Sequence, residues 1–103
     1  MPAKPARILC VGRERYLLET RCAVLGQSGY DAQSATLVEA ENLMRTEKYD
    51  LVIVSALLSD EERSRIHAAV AGSSPILTLD GVTFASELLS EVERKLALSA
   101  FNP

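Results

Sequence analysis

Residues Tyr49–Ser55 have the sequence YDLVIVS, in which an unbroken apolar and β-branched run leads to a polar residue. A strand that is apolar on both faces must be covered on both faces, which is typical of a central strand in a parallel α/β sheet. Ser55 is predicted at the carboxyl end of this strand, the edge of an open parallel sheet where ligands bind. The residues at this edge therefore decide which functions the chain can have.

Length and composition predict one domain over residues 1–103, with an ordered core over about 6–99, because 103 residues with 48% hydrophobic content suffice for one core. The 11 basic and 14 acidic residues give a net charge of −3, without the basic field that nucleic-acid binding needs. Ile8–Val11 is too short for a signal peptide, and no run approaches the roughly 20 apolar residues that span a bilayer. The sequence predicts a cytoplasmic protein with no nucleic-acid or membrane partner.

The sulfur and imidazole side chains form no metal-binding pattern. Cys10 and Cys22 lack CxxC spacing, and His67 is the only histidine. We therefore expect neither a metal nor a cofactor, and we interpret the cysteines as small buried thiols in a reducing compartment.

Strand and helix patterns alternate along the chain. A first strand is predicted at Arg7–Val11, followed by a helix over about 14–28 that Gly29 closes in a left-handed conformation. A second strand is predicted at Tyr30–Ser34. Two capping boxes predict the starts of the next two helices, namely Thr36 with Glu39 and Ser59 with Glu62.

The second helix is predicted to end near Lys48, and a fourth strand is predicted at Ile76–Leu79. A last helix follows, with an apolar stripe that includes Leu88, Val92 and Leu96. Strands that alternate with helices of this length imply right-handed βαβ units. We therefore predict an α/β, flavodoxin-like open parallel sheet of four strands in the order 2-1-3-4, with helices on both faces.

This pattern resembles the receiver domains of bacterial two-component response regulators. The resemblance covers Arg7 to Asp80 and resumes at the final helix. It rests on Ile8–Val11 before a turn, Gly29-Tyr30 after the first helix, Asp50–Val54, Pro75–Leu79, Glu87-Leu88-Leu89 and Val92. It implies a site in which an aspartate after the third strand accepts a phosphoryl group from a histidine kinase. Two acidic residues after the first strand would hold Mg²⁺, and a Thr or Ser and a Lys would contact the phosphoryl oxygens.

This sequence departs from that pattern at every functional position. The acidic pair is replaced by Gly12 and Arg13, followed by Glu14, and the phosphoacceptor position holds Ser55. Asp80 stands where the family has Thr or Ser, and there is no room for the family's fourth helix, fifth strand and lysine. We interpret the chain as a degenerate receiver (pseudo-receiver) without enzymatic activity. It would act in phosphorelay signalling by contact with a histidine kinase or an output protein.

Several alternatives remain open at this edge. Arg13 could pair with Asp80 beside Ser55 and lock one conformation, or each side chain could be solvated. Glu14 with Asp80 could hold a weak cation. The acidic run 60–62 is better explained as a complement to a helix macrodipole than as a metal cluster.

The missing fifth strand makes the predicted fourth strand, with Ile76, Leu77, Thr78 and Leu79, an edge strand. It would pair with its copy in a homodimer, be covered by another protein, or be protected by the final helix. Other functions remain possible on this fold, namely a small-ligand-binding or enzymatic domain, or a dimerisation module from a longer regulator.

Overall fold

The computed structural model describes residues 5–56, 58–70, 74–79 and 85–101. Within these ranges, strands and helices alternate along the chain, as the sequence predicts. The strands are β1 (Arg7–Val11), β2 (Asp31–Ala35), β3 (Leu51–Ser55) and β4 (Ile76–Leu79). The helices are α1 (Arg15–Gln27), α2 (Leu37–Thr46), α3 (Asp60–Val70) and α4 (Ala85–Phe101).

The described strands form one parallel sheet in the order β2-β1-β3-β4, which confirms the predicted topology. All residues of β3 are buried, as expected for a strand with neighbours on both sides and helices on both faces. Gly12 and Ala56, which directly follow β1 and β3, lie at the carboxyl edge of this sheet. The geometry therefore gathers the loops after the strands at one end of the molecule.

Alternate residues of each strand face two separate apolar clusters. On one face, Ile8, Cys10 and Ile53 pack with buried residues of α1 and with Leu88 and Val92 of α4. On the other face, the buried residues come from β1, β2, β3, α2, α3 and the loops on either side of β3, and include Leu9, Val11, Val52, Val54, Ala40 and Ile66. Helices therefore cover both faces of the sheet, as predicted.

The predicted helix ends are largely confirmed. Gly29 has a φ of +94°, and its N–H donates to the carbonyl of Gly26 while that of Tyr30 donates to the carbonyl of Leu25. These two bonds form a Schellman motif. Because the Tyr30 N–H closes α1, β2 begins one residue later than predicted, at Asp31, whose N–H donates to the carbonyl of Ala6.

The end of the second helix differs from the prediction, and the last helix is long. The second helix ends at Thr46 rather than near Lys48, because Glu47 is already extended and the Arg7 guanidinium binds its carboxylate and the Lys48 carbonyl at 3.1 and 3.2 Å. The last helix, for whose end the sequence pattern gives no residue, continues to Phe101. The predicted capping boxes at Thr36 and Ser59 are both present.

The two glycines at the end of α1 are expected to respond in opposite ways to substitution by alanine. Gly29→Ala should destabilise the protein by about 1 kcal/mol, because a side chain in the left-handed region is strained. Gly26→Ala should stabilise it by up to about 1 kcal/mol, because Gly26 is helical and nothing lies near an added Cβ. Urea denaturation of the two variants measures the difference, and equal effects would contradict this account of the helix end.

No helix in the described part of the chain is both long and apolar enough to cross a bilayer.

Candidate functional site

Gly12 and Ser55 lie against each other at the carboxyl edge of the sheet. A Cβ atom added to Gly12 would lie 3.2 Å from the Ser55 Cβ and 3.2 Å from the Leu18 Cδ2. Both residues are buried, Ser55 to 3% exposure. The Gly12 N–H donates to the carbonyl of Ala35 at 3.3 Å, which fixes the backbone after β1. The backbone after β1 therefore packs tightly against the last residue of β3.

The Arg13 side chain reaches across this edge to the start of α3. Its Nη2 lies 2.5 Å from Glu62 Oε1, and its Nε donates to Oε2 at 3.4 Å. The same Glu62 carboxylate accepts the Ser59 backbone N–H at 2.9 Å, and the Glu62 N–H donates to Ser59 Oγ at 3.1 Å. One carboxylate therefore caps α3 and binds the arginine of the loop after β1.

The predicted partner of Arg13 was Asp80, which lies outside the described residues, so that pairing stays a prediction. The partner that the structure gives is Glu62. The acidic run 60–62 is explained from the sequence as a complement to the helix macrodipole, and Glu62 lies in the first turn of α3. What sequence reasoning missed is that the first turn of α3 faces the loop after β1, where a capping carboxylate can also bind a cation.

The pKa of the Glu62 carboxyl is lowered, first by the Ser59 backbone N–H and then by the Arg13 guanidinium. The charged form is therefore favoured in the folded protein. Because the folded-state pKa lies below the unfolded value, this stabilisation is present above the unfolded pKa and is lost as pH falls through the folded pKa.

Replacing Glu62 with glutamine is expected to reduce the loss in free energy of unfolding that occurs as pH falls into the acid range. Wild-type protein should lose stability as pH falls through the lowered pKa of Glu62, and Glu62→Gln should lose less over the same interval. Urea denaturation at a series of pH values measures this. Glu61→Gln is the matched control, because Glu61 is exposed in the same turn and has no ion pair among the described residues. Identical profiles for Glu62→Gln and wild type would contradict the assignment.

The remaining predicted site residues have different environments. Glu14 is exposed and directly precedes α1, and its side chain makes no capping hydrogen bond. Its backbone carbonyl accepts the first hydrogen bond of the helix, from the Leu18 N–H at 3.0 Å. The backbone at Ser55 is fixed by a turn in which its carbonyl accepts the Leu58 N–H at 3.2 Å. Within the described ranges, no group of three or more His, Cys, Asp or Glu side chains could hold a metal ion. The cation site predicted at Glu14 and Asp80 involves a residue outside those ranges.

A cavity of about 450 Å³ lies at the opposite, amino-terminal edge of the sheet. It is lined by residues 44–50, Val70 and Ser74. Since neither Gly12, Arg13 nor Ser55 lines it, this cavity is separate from the candidate site.

Comparison of the sequence with protein-family models and with curated proteins gives no match. The fold does match solved structures. It is similar to a CheY-like response regulator receiver domain protein from Methanospirillum hungatei, with a TM-score of 0.81 and 18% identity over 96% of this chain and 99% of that chain. It is also similar to the receiver domain of a signal transduction histidine kinase from Syntrophus aciditrophicus, with a TM-score of 0.65 and 17% identity over 95% of each chain.

A third similar structure is NtrX from Brucella abortus, with a TM-score of 0.68 and 15% identity. The match covers 93% of this chain and 28% of the NtrX chain. The chain therefore has the receiver-domain, flavodoxin-like fold that the sequence pattern indicates.

Proposed function

We propose that this chain is a pseudo-receiver, a receiver-fold module that acts in two-component signalling by protein contact and does not accept a phosphoryl group. The observation that carries the proposal is the contact between Arg13 and Glu62. In receiver domains, the loop after the first strand supplies acidic ligands to Mg²⁺. Here that loop supplies a guanidinium, which is bound to a carboxylate of α3.

The charges at this edge disfavour the chemistry of phosphoryl transfer. Catalysis of that reaction depends on a metal ion that neutralises the phosphoryl oxygens, and Mg²⁺ requires oxygen ligands. Gly12 offers no side-chain oxygen, and Arg13 repels a cation. Ser55 is a neutral hydroxyl with 3% exposure, which cannot form the acyl phosphate of the family. The proposal therefore includes no enzymatic activity and no cofactor.

Incubation with acetyl phosphate and Mg²⁺ is expected to leave the protein unmodified. Intact mass and phosphate-affinity electrophoresis measure this, with a receiver domain that has the complete acidic set as the positive control. A stable phosphoprotein modified at Ser55 would overturn the proposal.

Two variants separate the roles of Ser55 and Arg13 in this result. Ser55→Asp supplies a carboxylate, and we still expect no phosphorylation because Arg13 stays at the metal position. Arg13→Asp combined with Ser55→Asp introduces two carboxylates and removes the guanidinium. We therefore expect any increase in phosphorylation to be larger in the double variant than in Ser55→Asp alone. Equal phosphorylation of the single and double variants would show that Arg13 does not block the site.

The module would work in the cytoplasm, where the partners of two-component receivers are found, and would contact a histidine kinase or an output protein. Two surfaces support contact. One is the rim around the exposed side chain of Arg13, and the other is the edge of β4 that pairs with no strand among the described residues, for which we propose a second copy of this chain as the partner.

The outward-facing backbone of β4 supports pairing between copies. The carbonyls of Pro75 and Leu79 accept the N–H groups of Val52 and Ala56 at 3.0 and 2.8 Å, so these residues face β3. By the alternation of a strand, Ile76 and Thr78 direct their N–H and C=O groups away from β3. No charged residue, a common protection of sheet edges, occurs within β4.

Symmetry makes this edge complementary to itself. If two copies of β4 run antiparallel about Leu77, Ile76 of each copy lies opposite Thr78 of the other, and each such pair can exchange two hydrogen bonds. Charge does not oppose this approach, since Thr78 is an exposed neutral residue.

A further inference from the structure

A groove runs between α2 and α3, which contact each other and cover one face of the sheet. The groove contains a cavity of about 410 Å³. Three charged and two small residues line this cavity, namely Glu41, Arg45, Arg65, Ala68 and Ala69. Because Arg45, Arg65 and Ala68 are exposed, the cavity opens to solvent. No described residue of the candidate site at the carboxyl edge lines it, so the groove is a separate surface.

The charged side chains of this groove are not all engaged. An ion pair between Arg65 and Glu41 joins the two helices. It occupies the Glu41 carboxylate, whereas the Arg65 side chain is 50% exposed and an arginine has five N–H donors. Arg45 lies one turn after Glu41 and complements the macrodipole in the last turn of α2, a role that needs only its charge. Its N–H donors are therefore available to a ligand.

The groove continues to the amino-terminal edge of the sheet, because Arg45 also lines the cavity of about 450 Å³ at that edge. The carboxylates that line either cavity are all bound within the domain, namely Glu41 by Arg65, and Glu47 and Asp50 by Arg7. Two lining cations, Arg45 and Lys48, make no ion pair in the described part of the chain. The groove therefore has an excess of positive charge in a protein whose net charge is −3.

We propose that the groove between α2 and α3 binds an acidic segment of a partner protein, whose carboxylates contact Arg45 and Arg65. Charge complementarity favours this occupant, because the cations are available and the carboxylates of the groove are already bound. The cations come from α2, α3 and the segment before β3. They are spread along the groove rather than gathered around one point, which suits a series of carboxylates better than one small anion. The inference goes beyond the proposed function, because it does not depend on whether the domain accepts a phosphoryl group.

An exposed apolar side chain lies at the other end of the groove. Val38 is 64% exposed and lies three residues before Glu41, so the two side chains are neighbours on the surface of α2. A partner segment with an apolar residue beside its carboxylates would cover Val38. We therefore expect the segment to carry both kinds of side chain.

A second copy of this chain offers no comparable acidic segment among its described residues. Its acidic run is 60–62, in which Arg63 binds Asp60 and Arg13 binds Glu62. Only Glu61 of this run is exposed without an ion pair in the described ranges. The charges therefore favour a different protein as the partner.

The test uses the full chain and a fluorescein-labelled peptide of twelve residues that repeats Glu-Leu-Glu-Ala. In the control peptide, glutamine replaces every glutamate. Fluorescence anisotropy at a series of salt concentrations measures binding. We expect the acidic peptide to bind with an affinity that falls as salt concentration rises, and the glutamine peptide not to bind. Absence of binding at low salt, or equal binding of both peptides, would overturn the proposal.

Charge variants test whether the groove itself attracts the peptide. Arg45→Ala should weaken binding by about tenfold, because it removes a charged donor to the carboxylates. Arg94→Ala is the matched control, because it removes the same charge from an exposed position of α4, which packs on the other face of the sheet. It should change the affinity by less than about twofold. Equal losses in the two variants would mean that the peptide responds only to net charge, which would contradict the proposal.

A third variant tests the shape of the groove without changing its charge. Ala68→Gln places a larger side chain in the cavity at an exposed position, and should weaken binding severalfold. His67→Gln is its control, because His67 is exposed on α3 but does not line the cavity. Circular dichroism should show all variants folded. Equal affinities of Ala68→Gln and His67→Gln would contradict binding inside the groove.

Backbone amide chemical shifts locate the bound peptide. We expect NMR shift changes over residues 38–45 and 65–69, and none in β4 or at Arg13. Changes confined to β4 or Arg13 would place the peptide on another surface and overturn the proposal. Equal changes with N-acetylglutamate amide at the same carboxylate concentration would show a site for single carboxylates, which would also overturn it. A phosphoprotein in the acetyl phosphate experiment would instead overturn the proposed function and leave this result unaffected.

Discussion

Replacing Gly12 with alanine is expected to lower the free energy of unfolding by about 1–3 kcal/mol, the usual cost of inserting a methyl group into a packed interior. The added Cβ would lie 3.2 Å from atoms of both Leu18 and Ser55. Neither neighbour can easily move, because Leu18 is buried in the core and Ser55 is the last residue of the central strand. Urea denaturation at neutral pH measures the loss.

A double-mutant cycle with Ser55→Gly tests whether this contact is the cause. Removing the Ser55 Cβ takes away one of the two close atoms, so Gly12→Ala should cost less in the Ser55→Gly background than in wild type. The coupling free energy should fall in the range of about 0.5–3 kcal/mol that contacting residues show. Gly26→Ala is the matched control, since its added Cβ meets nothing within 4 Å. Strict additivity of Gly12→Ala and Ser55→Gly would contradict this explanation.

The same contact limits which side chains position 12 can hold. A carboxylate at position 12 would be larger than the methyl group of alanine, and it would have to pass the Ser55 Cβ and the Leu18 side chain. We therefore expect Gly12→Asp to destabilise the domain at least as much as Gly12→Ala. The residues at positions 12 and 55 thus constrain each other through packing as well as through chemistry.

The fold was predictable because its main determinants are local in sequence. The run 51–54 is apolar without alternation, which predicts burial on both faces, and every residue of β3 is buried. Thr36 and Ser59 mark two helix starts through capping boxes, and Gly29 marks a helix end through its left-handed conformation. Each of these signals involves residues only a few positions apart, so no knowledge of the tertiary structure was needed.

The candidate site was less predictable, because its contacts join distant parts of the chain. The bond from Arg13 to Glu62 depends on where α3 begins relative to the loop after β1. Arg21 shows a second limit, since Leu18, Cys22 and Leu25 recur at the helical spacing that predicts the inner face of α1. The helix in fact also buries Arg21, which lies between Leu18 and Leu25 in the sequence, at 4% exposure. Hydrophobicity alone does not predict that an arginine occupies such a position.

Proline substitutions in β4 are expected to separate folding from pairing between copies. Thr78 is exposed and directs its N–H away from β3, so Thr78→Pro removes only a donor on the side of β4 that pairs with no strand among the described residues. The domain should stay folded, and a dimer formed through this edge should dissociate into monomers. Light scattering coupled to size-exclusion chromatography over a range of protein concentrations measures this, with circular dichroism as the test of folding.

Leu77→Pro is the matched control, one residue away on the same strand. Leu77 faces β3 with its N–H and is 6% exposed in the core, so the substitution removes a ladder donor and a buried side chain together. It should destabilise the domain by about 2–5 kcal/mol, as other losses of buried leucines do. Thr78→Pro should cost less than half as much.

The two variants give different results for each possible state of the edge. If copies pair through β4, wild type is dimeric at high concentration and Thr78→Pro is a folded monomer, because each hydrogen-bonded pair about Leu77 loses its Thr78 donor. If another protein covers the edge, purified wild type is monomeric and Thr78→Pro leaves its mass unchanged, which would overturn the homodimer. If wild type and Thr78→Pro are equally dimeric, the contact lies elsewhere, and the backbone groups of Ile76 and Thr78 do not hold the copies together.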